Sequence, residues 1–218
     1  MLDEQTPQVR VLVVDDDLAM RESIHWTLTS VGYEVQAFAS ASECLQAIDA
    51  ELPHCIVVDL LLPGMTGLRF CQEIVARNAH STFLMISGHG DVVSAVEVMK
   101  LGAIDFLEKP FSRELLLRGV ASGIEQALAL HRAEIERAEI DERFTRLSTR
   151  EREILELVAA GLVSKQIAAK LNISPRTVDV HRSNILHKLQ IDSPAQLAHV
   201  LLLHQRHQAG RRLGTVLP

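Results

Sequence analysis

Apolar residues follow two different rhythms along this chain. Through the first half, short apolar runs alternate with stretches at helical spacing. Val9 to Val14 is apolar but for Arg10, and Leu18 to Val31 then repeats at helical spacing before Gly32. Tyr33 to Phe38 reads as a strand. Ser40 and Glu43 form a capping-box pair that opens a helix to about Ala50. The run Cys55-Ile56-Val57-Val58-Asp59 ends in a carboxylate and is turned away by Pro63-Gly64. Thr66 caps a helix to about Arg77, and Thr82 to Ile86 is a strand. Asp91 caps a helix to about Leu101, Ala103 to Leu107 is a strand, and Ser112 caps the next helix.

Runs without polar alternation belong to strands buried on both faces. Strand–helix alternation repeated five times with short connections predicts an α/β domain with a parallel sheet. Right-handed crossovers leave the flavodoxin-like (βα)5 order 2-1-3-4-5, with its switch point between the first and third strands.

After Phe144 only the helical rhythm remains. Ser148 to Glu151 is a capping box with Leu147 as its staple, and the helix stops at Gly161. Ser164 caps a short helix that ends at Asn172, a residue suited to the left-handed position. Ser174-Pro175 opens a third helix to about Leu189, and Ser193-Pro194-Ala195-Gln196 a fourth to about His207. Four short helices make a small all-α domain whose second and third form a helix–turn–helix. Between the halves no strong breaker stands from Ser112 to about Phe144. A long linker helix is predicted there, weakened at Gly119 and Gly123, with room to pack against a second copy. The expected divisions are a tail over 1–8, a first domain over 9–125, a linker helix over 126–142, a helical domain over 143–207 and a disordered tail over 208–218.

Charge sharpens this division. Residues 143–218 hold 12 Lys and Arg against 5 Asp and Glu, a net of +7, which leaves −13 for residues 1–142. An acidic front and a basic back imply different partners, the basic half being suited to nucleic acid. No run approaches the ~18 apolar residues of a membrane span. Met1-Leu2-Asp3-Glu4-Gln5 has no signal-peptide character, so a cytoplasmic location is expected. The three cysteines form no CxxC pair and read as small buried hydrophobes. Of the histidines on the fourth helix only His204 and His207 stand at ligand spacing, without an evident Cys or acid partner.

The chemistry gathers at the strand ends. The first strand ends in Asp15 and Asp16, the third in Asp59, the fourth in Ser87 and the fifth at Lys109. Asp17 reads as a helix cap. Parallel sheets of this order bring those ends to one edge. Three close carboxylates repel unless a cation joins them, and Mg²⁺ is the usual hard cation for oxygen ligands with retained water. A lysine and a hydroxyl facing the same point cradle a doubly charged anion. The set suits phosphoryl transfer, with Asp59 as nucleophile.

Residues 9 to about 125 resemble the receiver domain of bacterial two-component response regulators. The resemblance rests on Val13-Val14-Asp15-Asp16-Asp17, Val58-Asp59-Leu60-Leu61-Leu62-Pro63-Gly64-Met65, Ile86-Ser87-Gly88 and Asp105-Phe106-Leu107-Glu108-Lys109-Pro110-Phe111. It implies that Asp59 takes a phosphoryl group from a sensor histidine kinase. It implies that Asp16, Asp59 and the Leu61 carbonyl bind Mg²⁺, with Asp15 acting mainly through water. Ser87 and Lys109 would hold the phosphoryl oxygens, and Phe106 would be the switch aromatic. The Lys109–Pro110 bond is expected to be cis. Thr66 stands where Asp or Asn is frequent, and Phe106 lacks the hydroxyl of the common Tyr. Neither touches the phosphoryl cradle.

On the third helix of the basic half, Arg176, Thr177, His181, Arg182, Asn184 and Lys188 are read as outward, residue types that contact phosphates and base edges. Lys165 joins them as a phosphate contact. Val178 stands in two expected sets, the inward apolar residues and the DNA contacts. The motifs Leu147-Ser148-Thr149-Arg150-Glu151-Arg152-Glu153-Ile154-Leu155, Ser164-Lys165-Gln166-Ile167-Ala168 and Leu171-Asn172-Ile173-Ser174-Pro175-Arg176-Thr177-Val178-Asp179-Val180-His181 resemble the LuxR/FixJ-type output domain. The resemblance implies DNA binding through the third helix, often as dimers aided by the fourth. Asp179 stands where some relatives carry Lys, and an acid there cannot serve a phosphate.

The joint expectation is a cytoplasmic response regulator, not an enzyme beyond its own phosphoryl transfer and dephosphorylation. It would become a homodimer on phosphorylation, bind promoter DNA and work with RNA polymerase. The rival expectations are a phosphatase with an aspartyl nucleophile and a phosphorylation-independent DNA binder.

Overall fold

The computed structural model describes residues 9–49, 51–77, 80–88, 92–191, 196–197 and 200–204. The expected cap Asp91, the opening of the fourth output helix at Ser193–Ala195, His207 and both tails lie outside the described residues. Two compact units divide after Arg132.

The first unit alternates strands and helices: β1 Arg10–Val14, α1 Leu18–Thr29, β2 Val35–Phe38, α2 Ala41–Ala47, β3 His54–Asp59, α3 Gly67–Ala76, β4 Ser81–Ser87, α4 Val92–Lys100 and β5 Asp105–Glu108, followed by α5 Arg113–Thr145. All strands pair in parallel in the order β2-β1-β3-β4-β5. This is the flavodoxin-like arrangement that the strand–helix alternation predicts. Every residue of β3 and β4 is buried, as unbroken apolar runs require. Successive side chains supply opposite cores. Leu12, Val14, Ile56, Val58 and Met85 pack with Cys44, Phe70 and Ile74 of α2 and α3. Val11, Val13, Val57, Leu84 and Ile86 pack with Ile24 and Leu28 of α1 and with Leu116 and Val120 of α5.

Several local expectations shift by a residue or more. β2 begins at Val35 rather than Tyr33, and β5 at Asp105 rather than Ala103, each after a glycine with positive φ, Gly32 and Gly102. Glu43 does not complete its capping box on Ser40. Ser40 Oγ accepts from the Glu43 amide at 3.3 Å, while the Glu43 carboxylate takes the Ala39 amide at 3.3 Å. The Lys109–Pro110 peptide is cis. Gly119 and Gly123 weaken α5 as an isolated helix, but the sheet requires them. A Cβ on Gly119 would stand 2.9 Å from the Leu84 side chain, and one on Gly123 would run into Cys55 and Ile104. The Thr82 hydroxyl donates to the Gly123 carbonyl at 3.0 Å, a contact possible only at this close approach.

α5 is one helix of 33 residues. The division after Arg132 cuts the segment expected to be linker, and Ile140 and Phe144 belong to the second unit's core. That unit contains α6 Thr149–Ala159, α7 Ser164–Leu171 and α8 Pro175–Leu189, followed by helical residues 196–197 and 200–204. Ser148 and Glu151 form both bonds of the predicted capping box. Ser164 is not the cap of α7. Val163 holds that position, Gln166 bonds its amide at 3.1 Å, and the Ser164 hydroxyl is engaged with Asp179 at 2.7 Å. Asn172 adopts the left-handed conformation predicted for it. No helix among the described residues is long and apolar enough to cross a membrane.

Candidate functional site

Four strand ends carry the pocket. Asp15 follows β1, Asp59 closes β3 and Ser87 closes β4, and all three residues are buried. Lys109 follows β5, where its amide donates to the Ser87 carbonyl at 2.7 Å. Each of the two buried carboxylates is held at both oxygens. Asp15 Oδ1 accepts the Asp17 amide at 2.9 Å, and Asp59 Oδ1 accepts the Leu61 amide at 3.0 Å. Their other oxygens share the Lys109 ammonium, at 2.8 Å from Asp15 and 2.5 Å from Asp59.

Burial pushes the Asp15 carboxyl above its ordinary value, and repulsion from Asp59 adds to this against the opposing pull of Lys109. Burial works against the Lys109 charge too, but hydrogen bonds and attraction from Asp15 and Asp59 outweigh it and raise its pKa. Asp16 is exposed at the rim. Ligand oxygens of Asp15, Asp16 and Asp59 lie within 4.8 Å of one another. With all three ionised, one ammonium leaves a net charge of −2. An all-oxygen set of that charge fits a hard divalent cation, and Mg²⁺ matches it. Phe106 is half-buried against the core on the α2–α3 face.

Two residues of this site carried no sequence signal. Gly67 opens α3 with its amide on the Leu60 carbonyl at 3.0 Å, and a Cβ there would fall on the Asp59 carbonyl. Arg21, on α1, turns back onto the loop that carries Asp15 and Asp16. Asp17 caps α1 as expected, accepting from Ala19 at 2.8 Å and Met20 at 3.3 Å. The cysteines are buried and free, and burial pushes each thiol up to about 12. They are inert apolar filler.

In the second unit, α8 buries Val178, Ile185 and Leu189. Its opposite side exposes Arg176, Thr177, Val180, Ser183, Asn184 and His187, and Lys165 is exposed on α7. Three expected DNA contacts do not fit this geometry. Val178 is fully buried in the core, so it cannot reach DNA. Arg182 lies on the inward flank, where it is half-buried and donates to Ser164 Oγ at 3.4 Å. Lys188 donates to the buried Glu151 carboxylate at 2.7 Å and is thereby drawn into the capping box. His181 is half-buried, with Nδ1 unpartnered among the described residues. Val180, Ser183 and His187 are outward residues that the sequence reading passed over.

The expectation that the histidines of the last helix lack an acid partner is also corrected. His204 Nδ1 meets Asp141 Oδ1 at 2.7 Å, and its ring stacks on Phe144 at 3.9 Å. Both partners lie about sixty residues earlier in sequence, beyond the reach of any spacing rule.

Comparison with known proteins gives a consistent result. Residues 11–121 match the response regulator receiver domain, and residues 145–201 match the bacterial regulatory proteins of the luxR family. The transcriptional regulatory protein FixJ of Azorhizobium caulinodans is 43% identical over 196 residues, covering 88% of this chain and 92% of the relative. The solved response regulator StyR is 37% identical with a TM-score of 0.78, over 89% of this chain and 98% of that one. A beryllofluoride-activated NtrC4 receiver domain dimer is 37% identical with a TM-score of 0.50, over 54% of this chain and 98% of that one.

Proposed function

Because the chain belongs to the FixJ-type two-component response regulators, which join a receiver to a LuxR-type DNA-binding domain and regulate transcription, we propose that Asp59 is its phosphoacceptor and that the phosphorylated protein dimerises on promoter DNA. The observation that carries the reading is the Lys109 ammonium shared by two buried carboxylates at the meeting of the strand ends.

A sensor kinase presents a phosphohistidine. A lone pair on an Asp59 carboxylate oxygen attacks phosphorus. The O–P bond forms as the P–N bond breaks, the P–N pair returns to the ring nitrogen, and the ring leaves as neutral imidazole with the proton carried on its other nitrogen. Asp16, Asp59 and the Leu61 carbonyl would hold Mg²⁺ directly, and Asp15 through water. When bound, the ion supplies charge neutralisation for the phosphoryl oxygens. Asp15 holds Lys109 beside Asp59, so the ammonium is in place for the new anion. Once Asp59 is esterified it no longer carries its own charge, and Lys109 turns its pairing to the phosphoryl group. Ser87 takes another phosphoryl oxygen, and Phe106 turns inward behind it. The protein's own catalysis is limited to gaining and losing this phosphoryl group.

These movements reshape the face formed by α4 and by residues 106–117. That face exposes Val96, Met99 and Leu115, apolar area that a second copy can cover. Raising an active form from about 1% to 99% takes ~5.5 kcal/mol, which the phosphoryl contacts and the dimer interface supply together. The dimer then lays α8 in the major groove. Arg176, Thr177 and Asn184 meet the DNA there, with Lys165 on a phosphate and His181 at the margin. RNA polymerase is the further partner, and the cytoplasm, where kinase and promoter are both reached, is the place of action.

Lys109→Ala tests the coupling. This variant should still take phosphate from acetyl phosphate with Mg²⁺, yet remain monomeric by sedimentation and bind promoter DNA no better than the unphosphorylated parent. Dimerisation and DNA binding equal to the parent after equal phosphorylation would overturn the route through Lys109.

A further inference from the structure

The loop that carries Asp15 and Asp16 is braced by a cation that plays no part in the transfer. Arg21 is half-buried one turn into α1. Its Nη1 donates to the Asp15 carbonyl at 2.6 Å and to the Asp16 carbonyl at 3.3 Å. A guanidinium beside three acids would ordinarily pair with a carboxylate. Arg21 forms no ion pair among the described residues and spends its donor on backbone oxygens instead.

The carboxylates depend on that brace unequally. Asp15 is held through its own side chain, by the Asp17 amide and by Lys109. Asp59 is held in the same way, by the Leu61 amide and Lys109. The Asp16 side chain makes no hydrogen bond among the described residues, and it is the exposed member of the three. Its position is therefore set by its backbone, and the two carbonyls that flank that position are the ones Arg21 grips.

We propose that Arg21 is a positioning residue for the divalent cation: by fixing the Asp15 and Asp16 carbonyls it presets the Asp16 carboxylate as a ligand. This inference rests on the reading of Asp16 and Asp59 as the cation site. It opposes the simplest electrostatic expectation. A positive charge this close repels a divalent cation, so if Arg21 acted through space alone its removal would tighten binding. Partners that orient metal ligands typically change affinity by about 10–100-fold when lost, and the positioning effect predicts weaker binding.

The test uses the full chain and Mn²⁺ as a probe, its binding read from loss of the free-ion paramagnetic resonance signal. Arg21→Met should bind Mn²⁺ about tenfold more weakly than the parent. Arg21→Lys keeps a donor and the charge, but on a shorter and less directed side chain, so it should fall between them. The Mg²⁺ concentration for half-maximal phosphorylation by acetyl phosphate should rise in the same order, with the extent of phosphorylation recovered at saturating Mg²⁺. A merely structural role would lower that extent and leave the half-maximal concentration alone. Parent-like or tighter Mn²⁺ binding by Arg21→Met overturns the proposal. The parent and Asp59→Asn separate the two readings. If the parent binds no Mn²⁺ that Asp59→Asn loses, the cation site itself is misread. If it does, and Arg21→Met matches it, only the role of Arg21 fails.

Discussion

The carboxylate pocket and the outward side of α8 are built on opposite plans. In the pocket, residues from four separate strand ends converge, are mostly buried, and hold one another in place through Lys109. On α8 the exposed residues come from one helix, touch one another little, and are set only by how the helix is rotated against its core. A residue in the pocket therefore acts with its partners, and losing one disables the set. A residue on α8 acts by itself on what it faces, and its loss should subtract one contact. Function that needs a reactive group is built the first way, and function that needs a readable surface the second.

The sharpest division between the plans is expected from Asp59→Asn. This change keeps shape and burial but removes the proposed nucleophile, so incorporation of a base-labile acyl phosphate from acetyl phosphate should fall to background. Label persisting in the variant, or found on serine or histidine, would break the account of the pocket. DNA binding by the unphosphorylated variant should match that of the unphosphorylated parent.

A smaller effect separates inside from outside on α8. Val178→Ala should cost about 2 kcal/mol of the second unit's stability, read from its urea midpoint, because two buried methyl groups are lost. It should not change the ratio of specific to random DNA binding. Asn184→Ala should leave the midpoint alone and cost about 1–3 kcal/mol on the specific site only. Lys165→Ala should weaken both duplexes alike and flatten the salt slope by ~0.9. If Val178→Ala spares stability and loses specificity, the helix is rotated differently from the structure.

The least effect concerns Glu151. Burial opposes its charge, but Lys188 and the Ser148 bonds outweigh this and depress its pKa. The unfolded chain then takes up that proton more readily than the native one. This group's contribution is accordingly present above the ordinary glutamate range and lost as pH falls through its native value. Stability of the second unit should decline with acidification over that window, and Lys188→Ala should flatten the decline. A slope unchanged by Lys188→Ala would return Lys188 to the DNA-facing set.

Legibility followed the same division. Strand ends are marked in sequence because an apolar run stops at a polar residue, and parallel topology carries all such ends to one edge. Asp15, Asp59, Ser87 and Lys109 could be collected in this way without knowing a single distance. Which side of α8 faces outward is harder to read. Each residue turns the helix by 100°, so Arg182 and Asn184, only two apart, end on opposite flanks.

What the linear order of residues settled was whatever depends on near neighbours: the strand and helix alternation, the caps at Ser148 and Ser174, the left-handed turn at Asn172, and through the right-handed crossover the strand order itself. Contacts between distant segments were decided by packing alone. Lys188 reaches Glu151 across 37 residues, His204 meets Asp141 across 63, and Gly123 is needed because Cys55 of β3 and Ile104 crowd its helix. The reason is one of range. Backbone preferences and cap hydrogen bonds act over a turn or two, whereas a side chain's partner across the core is chosen by the shape and charge of whatever the folded chain brings there.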